Sequence, residues 1–290
     1  MAHVEEPVME SAPLARWIAE RLCRENPAIG GNCSWYHGFW QHLRALDLVT
    51  TPEHHADFYR DAFGRTAPAG GHLDVLISGA IDYSMLAHVL WACGLRGATA
   101  GVTVVDVCDT PLFLNHWYAR RARADVRTFC TGILGFQSPE RYDVVCTHSF
   151  LGQFSPEERP ALMARWHELL KPGGRVIMVN RIRQRSGAGQ AGFSRQQAQA
   201  LRDAVLRSPE ELRARLQIGT EDLSRYADAY ATRRRPHPVH SREEFAGLFE
   251  RAGFAVEHLT SAPVNLGGEP LSGPTTPGGA EYAHIIARRS

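Results

Sequence analysis

The sequence predicts an α/β protein built on a doubly wound, largely parallel sheet, preceded by helices and interrupted once by more helices. Three observations predict this. From His72 onward, short apolar runs alternate with stretches of helical spacing, as parallel strands joined by crossover helices require. Between Arg181 and about Ser241 the strand pattern stops and helical patterns continue alone. The segment before His72 carries helical patterns without strands.

Taken in order, PLARWIAERLCREN, opened by Ser11 and Pro13, places Leu14, Ile18 and Leu22 at helical spacing, and Pro27 and Gly30-Gly31 break the pattern. CSWYHGFWQHLRALDLV forms a second helix rich in aromatic residues and histidine. A third starts at Thr51-Pro52-Glu53, an N-cap followed by a first-turn proline, and runs to Gly64. LDVLIS is the first strand, DYSMLAHVLWACG a helix, VTVVDV the second strand, and Thr110-Pro111 opens the helix LFLNHWYARRARA. DVRTFC and YDVVCTH are the third and fourth strands; ERPALMARWHELL is a helix, KPGG a turn and RVIMVN the fifth strand. RQQAQALRDAVLRS, EELRARL and DLSRYADAYATRRR then read as helices up to Pro236 and Pro238, in a block too long for a structureless loop, so a helical insertion over one sheet edge is expected. The α/β pattern resumes with the helix REEFAGLFERAGF, the strand AVEHLT, a Gly/Pro-rich loop and the strand YAHIIARR. The expected organisation is an N-terminal helical cap over 1–70, an α/β core over 71–180, a helical insertion or lid over 181–241, and the end of the core over 242–290.

Composition narrows the function classes. The 290 residues are 44% hydrophobic, enough for a sizeable core, and the net charge of +1 argues against a strongly basic nucleic-acid binder and against an acidic disordered chain. No apolar run is long enough to span a bilayer, and MAHVEEPVMESAPL lacks the basic and apolar regions of a signal peptide, so a cytoplasmic protein without membrane or nucleic-acid partners is expected. The six cysteines form no C-x-x-C pair. Cys93, Cys108, Cys130 and Cys146 lie in or beside apolar segments, where a thiol packs as a small hydrophobe; neither a disulfide framework nor a zinc site is expected.

Four segments carry chemistry. In LDVLISGAIDYS, Gly79 follows the first strand, where a missing Cβ lets backbone approach a ligand at the switch point of a doubly wound sheet. Asp106 ends VTVVDV, where a carboxylate can accept both hydroxyls of a ribose. YDVVCTHSFLGQF brings His148, Ser149 and Phe150 to the end of the fourth strand. In LLKPGGRVIMVN a helix, a Lys-Pro-Gly-Gly turn and an apolar strand follow directly, the glycines permitting positive φ. In this order, from residue 72 to the end, they resemble class I methyltransferases dependent on S-adenosylmethionine (SAM), of the small-molecule type. A dinucleotide-binding Rossmann domain, the main rival, normally carries G-x-G-x-x-G, which is absent.

The resemblance implies a seven-stranded sheet with an antiparallel last strand, and SAM as cofactor. It implies cofactor contacts at Ser78, Gly79, Ala80, Tyr83, Asp106, Val107, Thr131, Gly132, Ile133, His148 and Ser149. The chain departs from the family in keeping one glycine after the first strand, and in having Thr131 near where an acidic residue usually reaches toward adenine. Methyl transfer is an in-line displacement that needs positioning and a dry site but no metal. His148, His37 and Tyr36 are the candidate catalytic groups, the histidines by virtue of an ordinary pKa of about 6.5. Tyr36, Trp40, Arg60, Phe150, Tyr226, Tyr230 and Arg233 are candidates for binding the acceptor, with an arginine able to clamp a carboxylate. A small-molecule acceptor methylated at N or S is favoured because no strong base constellation occurs. O-methylation with His148 or His37 as base, a non-catalytic binding module and an RNA methyltransferase are the alternatives, and a homodimer is compatible with the sequence.

Overall fold

The structure, a computed structural model, describes residues 4–26, 31–183, 190–264 and 280–290. The N-terminal region comprises α1 (Val8–Leu22), a short hairpin of β1 (Glu25–Asn26) and β2 (Gly31–Asn32), α2 (Ser34–Ala45) and α3 (Ala56–Thr66). The core follows as β3 (His72–Ser78), α4 (Ser84–Gly94), β4 (Thr99–Asp106), α5 (Asp109–Ala122), β5 (Val126–Cys130), β6 (Tyr142–His148), α6 (Arg159–Leu169) and β7 (Leu170–Ile182). Three helices, α7 (Arg195–Leu206), α8 (Glu210–Arg215) and α9 (Thr220–Arg233), precede α10 (Arg242–Arg251), β8 (Phe254–Val264) and β9 (Ala280–Arg289). The Gly/Pro-rich loop expected before the last strand lies outside the described residues.

The large sheet has seven strands in the order β5-β4-β3-β6-β7-β9-β8. The first five are parallel, and β9 runs antiparallel to both its neighbours. The chain moves outward from β3 to β5 and then returns to β6, so the direction of winding reverses between β3 and β6, and a crevice opens beyond their carboxyl ends. The central strands are apolar throughout because both faces are covered. Val75, Ile77, Val104, Val144 and Cys146 face a core shared with α3 and α4, while Leu76, Val105, Val145 and Met178 face Trp166 of α6 and Phe249 of α10. At the amino ends, Lys171 binds both Asp74 (2.8 Å) and Asp143 (2.9 Å), and Gly173 takes φ +76° in the bulge the Lys-Pro-Gly-Gly segment makes inside β7.

Two details differ from the sequence reading. Helix α1 begins at Val8, with Pro13 inside it; Ser11 is not a cap but is fully buried, with its hydroxyl 3.0 Å from that of Tyr83. The insertion does not lie over a bare sheet edge. Its helices pack on α2, where Phe39, Trp40 and Leu43 join Leu201, Val205, Leu223, Tyr226 and Tyr230 in a separate core. The cap and the insertion thus form one helical layer.

A buried charge cluster seats that layer. Arg44 on α2 donates to Glu6 (2.7 Å) and Asp82 (2.8 Å), and all three side chains are at most 4% exposed. Burial alone would raise the Glu6 carboxyl, but Arg44, with His88 and Ser84, holds the group below its usual range. Arg44→Met strands two buried carboxylates, and we expect it to lower unfolding stability by about 3–5 kcal/mol. Urea denaturation measures this, and a loss under about 1 kcal/mol would place the pair in the class of weak surface bridges instead.

Candidate functional site

Gly79 takes φ +75°, and a Cβ there would lie 2.2 Å from the ring of Phe150, so both conformation and space demand glycine. Asp106 organises the neighbouring loops. Its carboxylate accepts from the amides of Ala80 (3.0 Å) and Cys108 (2.9 Å), and its carbonyl from that of Thr131 (2.9 Å). Burial pushes its carboxyl up to about 6 against the opposing pull of His37 and the two amides. Asp106 nevertheless keeps some accessible surface, as do Gly79, Thr131, Gly132 and Ser149, whereas Val104 and Val105 just below are buried. Val107 is 43% exposed, an apolar shelf beside the carboxylate. Ser149 has φ +52°, which ends β6 abruptly.

Not every candidate reaches this edge. Ser78 is fully buried and its hydroxyl accepts from the Trp166 indole N–H (2.9 Å). Tyr83 is fully buried too, stacked on Tyr118 with ring centroids 4.8 Å apart and bonded to Ser11 beneath α1. Ile133 packs its side chain into the core under α6. Arg60 is on the outer face of α3, paired with Asp57 (2.5 Å) and Asp61 (2.9 Å) beside a shallow surface depression. Arg233 is exposed on α9.

Where the helical layer meets the edge, aromatic and cationic groups gather. Tyr36 stacks with Tyr230 (centroids 6.0 Å) and approaches Trp40 (5.8 Å), and the Arg234 guanidinium lies 5.4 Å over its ring. Burial foremost raises the Tyr36 phenol, with Arg234 opposing and Asp106 and Asp82 reinforcing. Tyr226 instead stacks on Phe39 (5.6 Å), and Trp40 is buried in the interhelical core; both pack helices together. Arg183, just past β7, is lowered to about 9 by burial and by Arg181 and Arg234, with Tyr282 and Tyr230 opposing. Three guanidinium groups therefore share one region, of which sequence reasoning had only the neighbouring Arg233.

His148 ends β6 with its Nδ1 3.1 Å from the Tyr59 hydroxyl, which itself donates to the Thr147 carbonyl (3.3 Å). Nε2 is buried and makes no hydrogen bond of ordinary geometry; the backbone of Thr50 is a polar neighbour of the ring. Burial, then the nearby His88, His54 and His284, lower His148 to about 3, so it is neutral and a poor base near neutral pH. His55, whose Nδ1 is 2.9 Å from His284 Nε2, adjoins it at 5.5 Å between ring centroids. His37 faces away from this group, with Nδ1 3.5 Å from Cys23 Sγ. Cys108 is no isolated hydrophobe either, since it meets Cys23 and Cys33, and Cys130 is exposed.

No family model and no curated protein matches the sequence. Solved structures do match. Burkholderia thailandensis 1,6-didemethyltoxoflavin-N1-methyltransferase, solved with 1,6-didemethyltoxoflavin and S-adenosylhomocysteine, aligns with a TM-score of 0.54 at 18% identity over 100% of this chain and 93% of its own. A candidate O-methyltransferase from Nostoc punctiforme aligns at 0.50 and 16% identity over 98% of this chain and 69% of its own. The chain therefore has the class I methyltransferase fold, with the sheet order and antiparallel β9 described above. Among the described residues no helix is long and apolar enough to cross a membrane.

The buried histidines set a pH dependence. His148 at about 3 and His42 at about 4 stay neutral in the fold, and His55, His88 and His284 are lowered in the same direction, whereas the unfolded chain takes up protons below about 6.5. The unfolded state then binds more protons, so stability falls as pH drops from about 6.5 to about 4.5, by up to about 1.4 kcal/mol per pH unit per group. Urea midpoints at about pH 7 and about pH 5 test this, and equal midpoints would contradict the neutral assignment.

Proposed function

We propose that the chain is a SAM-dependent methyltransferase acting on a small, carboxylate-bearing molecule at nitrogen or sulfur. The observation that carries this reading is the carboxyl edge itself: Asp106 stays accessible between a Cβ-free turn and an exposed apolar shelf, while cationic and aromatic groups of the helical layer stand over it. The donor set fits the cofactor. With two amides bound, the Asp106 carboxylate still has lone pairs for ribose hydroxyls, Val107 offers a surface for the purine, and Gly79 admits close backbone approach. SAM supplies an electrophilic methyl group on a sulfonium. The fold, shared with an enzyme solved with S-adenosylhomocysteine, is consistent with that choice.

The chain's own work is positioning and exclusion of water. Tyr36 and Tyr230 provide buried ring faces that favour a cationic or aromatic guest. Arg234, over the Tyr36 ring, favours an acceptor carboxylate, since a guanidinium fork matches it bidentately. His148 is held neutral, Tyr36 is held as a phenol, and His37 is turned to the cysteines, so no strong base faces the site. An amine or thioether nucleophile suits that set better than an alcohol. One observation favours a second reading, a binding module without turnover: the Phe150 ring lies directly against Gly79 and narrows the edge.

Calorimetry with SAM and S-adenosylhomocysteine tests cofactor binding, and folded protein giving no heat at about millimolar SAM overturns the reading. Asp106→Asn keeps the shape and removes the charge, and is expected to weaken SAM binding about tenfold or more, about 1.4 kcal/mol. Mass spectrometry of cell extract incubated with protein and SAM should reveal a species heavier by one methylene. With that acceptor in hand, Arg234→Gln should raise KM by about tenfold or more and change kcat less, the pattern of lost uniform binding. SAM binding with no product in any extract supports the binding module instead.

A further inference from the structure

Cys23, Cys33 and His37 lie close together in the chain, and Cys108, some seventy residues on, meets them in space. Their Sγ and ring nitrogen atoms all lie within 4.8 Å of one another, and all four residues are buried. Cys23 Sγ and Cys33 Sγ are each 3.6 Å from Cys108 Sγ, and Cys23 Sγ is 3.5 Å from His37 Nδ1. None of these is a disulfide, whose sulfurs would be about 2.05 Å apart. Zn–S bonds of about 2.3 Å and Zn–N bonds of about 2.0–2.1 Å at the tetrahedral angle put ligand sulfurs about 3.8 Å apart and sulfur and nitrogen about 3.6 Å apart. The Cys23–Cys108, Cys33–Cys108 and Cys23–His37 separations match those figures to within a few tenths of an ångström. We propose that these four side chains form a structural zinc site that rivets the N-terminal cap to the end of β4.

Local structure builds the site. The β1–β2 hairpin pairs Glu25 with Asn32, which brings the flanking Cys23 and Cys33 together, and the Asn32 amide donates to the Cys23 carbonyl (2.7 Å). Cys33 caps α2, and His37 lies one helical turn further on the same face. Cys108 caps α5 immediately after β4. Three thiolates and a neutral imidazole favour zinc, and four protein ligands with no open position mark a structural rather than a catalytic centre. Three thiolates around a divalent ion leave one net negative charge, and the Thr110 hydroxyl, 3.2 Å from Cys23 Sγ, is placed to donate to it. Among the described residues, Ala19 joins Cys23, Cys33 and Cys108 as the one carbon-only member of their buried apolar cluster, so packing as small hydrophobes explains their convergence poorly. The site stands whether or not the chain binds SAM.

The test is metal analysis of the purified full-length chain. About one equivalent of zinc is expected, and the reduced, chelator-treated protein should take up Co(II) with the intense ligand-field bands and thiolate charge transfer of a tetrahedral site. Cys108→Ser and His37→Asn should each lower affinity, read by competition with a chromophoric chelator, about tenfold or more, while Cys130→Ser, outside the cluster, should match the parent. If Cys108→Ser is insoluble, Co(II) uptake and chelator competition on the parent chain decide alone. Reduced protein that binds neither zinc nor Co(II), an intact mass lighter by two hydrogens in a protein that takes up no metal after reduction, or undiminished zinc in Cys108→Ser each overturns the proposal. Copper or iron in place of zinc overturns the assignment of the ion.

Discussion

The guanidinium of Arg44 is the constraint on which the arrangement of the site depends. A buried cation is tolerable only when its charge is matched and its hydrogens are bonded. Here the matching carboxylates come from two distant places, Glu6 before α1 and Asp82 in the loop after β3. Neither the cap nor that loop can move away without stranding a charge in a dry interior. Asp82 is further bound by the Gln41 side chain (3.0 Å) and the Ser84 amide (2.7 Å), and its carbonyl by Asn115 (3.0 Å). This explains how the loop manages with one glycine where the methyltransferase pattern has several. Only position 79 needs φ in the positive region and room for a ring, and a fixed acid shapes the rest.

The sheet was legible in the sequence because burial on both faces writes strands as continuous apolar runs, and the Lys-Pro-Gly-Gly segment marks where β7 bulges. Gly79, Asp106, Val107 and Thr131 were legible for a related reason. They follow strands directly, so their place at the carboxyl edge is set by the chain itself. Tyr83 was misread because a position on the right loop says nothing of which way the side chain turns, and Ser11 and Tyr118 claim it. On α9 the structure sets Arg234, not Arg233, over Tyr36. Arg233 is the last residue of the helix and Arg234 its extended cap, so the change of backbone there, not helical spacing, decides which guanidinium covers Tyr36. The pairing of His55 with His284 and the arrival of Cys108 beside Cys23, Cys33 and His37 left no local trace, because tertiary contact brings those partners together.

The two faces of the site differ in charge, and the difference bears on how a methylation would proceed here. At the end of β4 stands Asp106; Arg181 in β7, Arg183 just past it and Arg234 at the end of α9 are close enough to one another to lower Arg183. On the proposed reading the cofactor brings a further cation, the sulfonium, into a region of low dielectric, where like charges repel strongly. A neutral acceptor would leave that repulsion standing. An acceptor with a carboxylate would neutralise part of the arginine charge and so make the site more hospitable to the sulfonium, which makes the binding of cofactor and acceptor mutually favourable without any conformational switch. Methyl transfer itself removes the sulfonium charge, so the cofactor product loses that repulsion while the arginines keep their hold on the acceptor. On the proposed reading the preference for an anionic acceptor follows from one distribution of charge, to which the end of β7 and the cap of α9 both contribute.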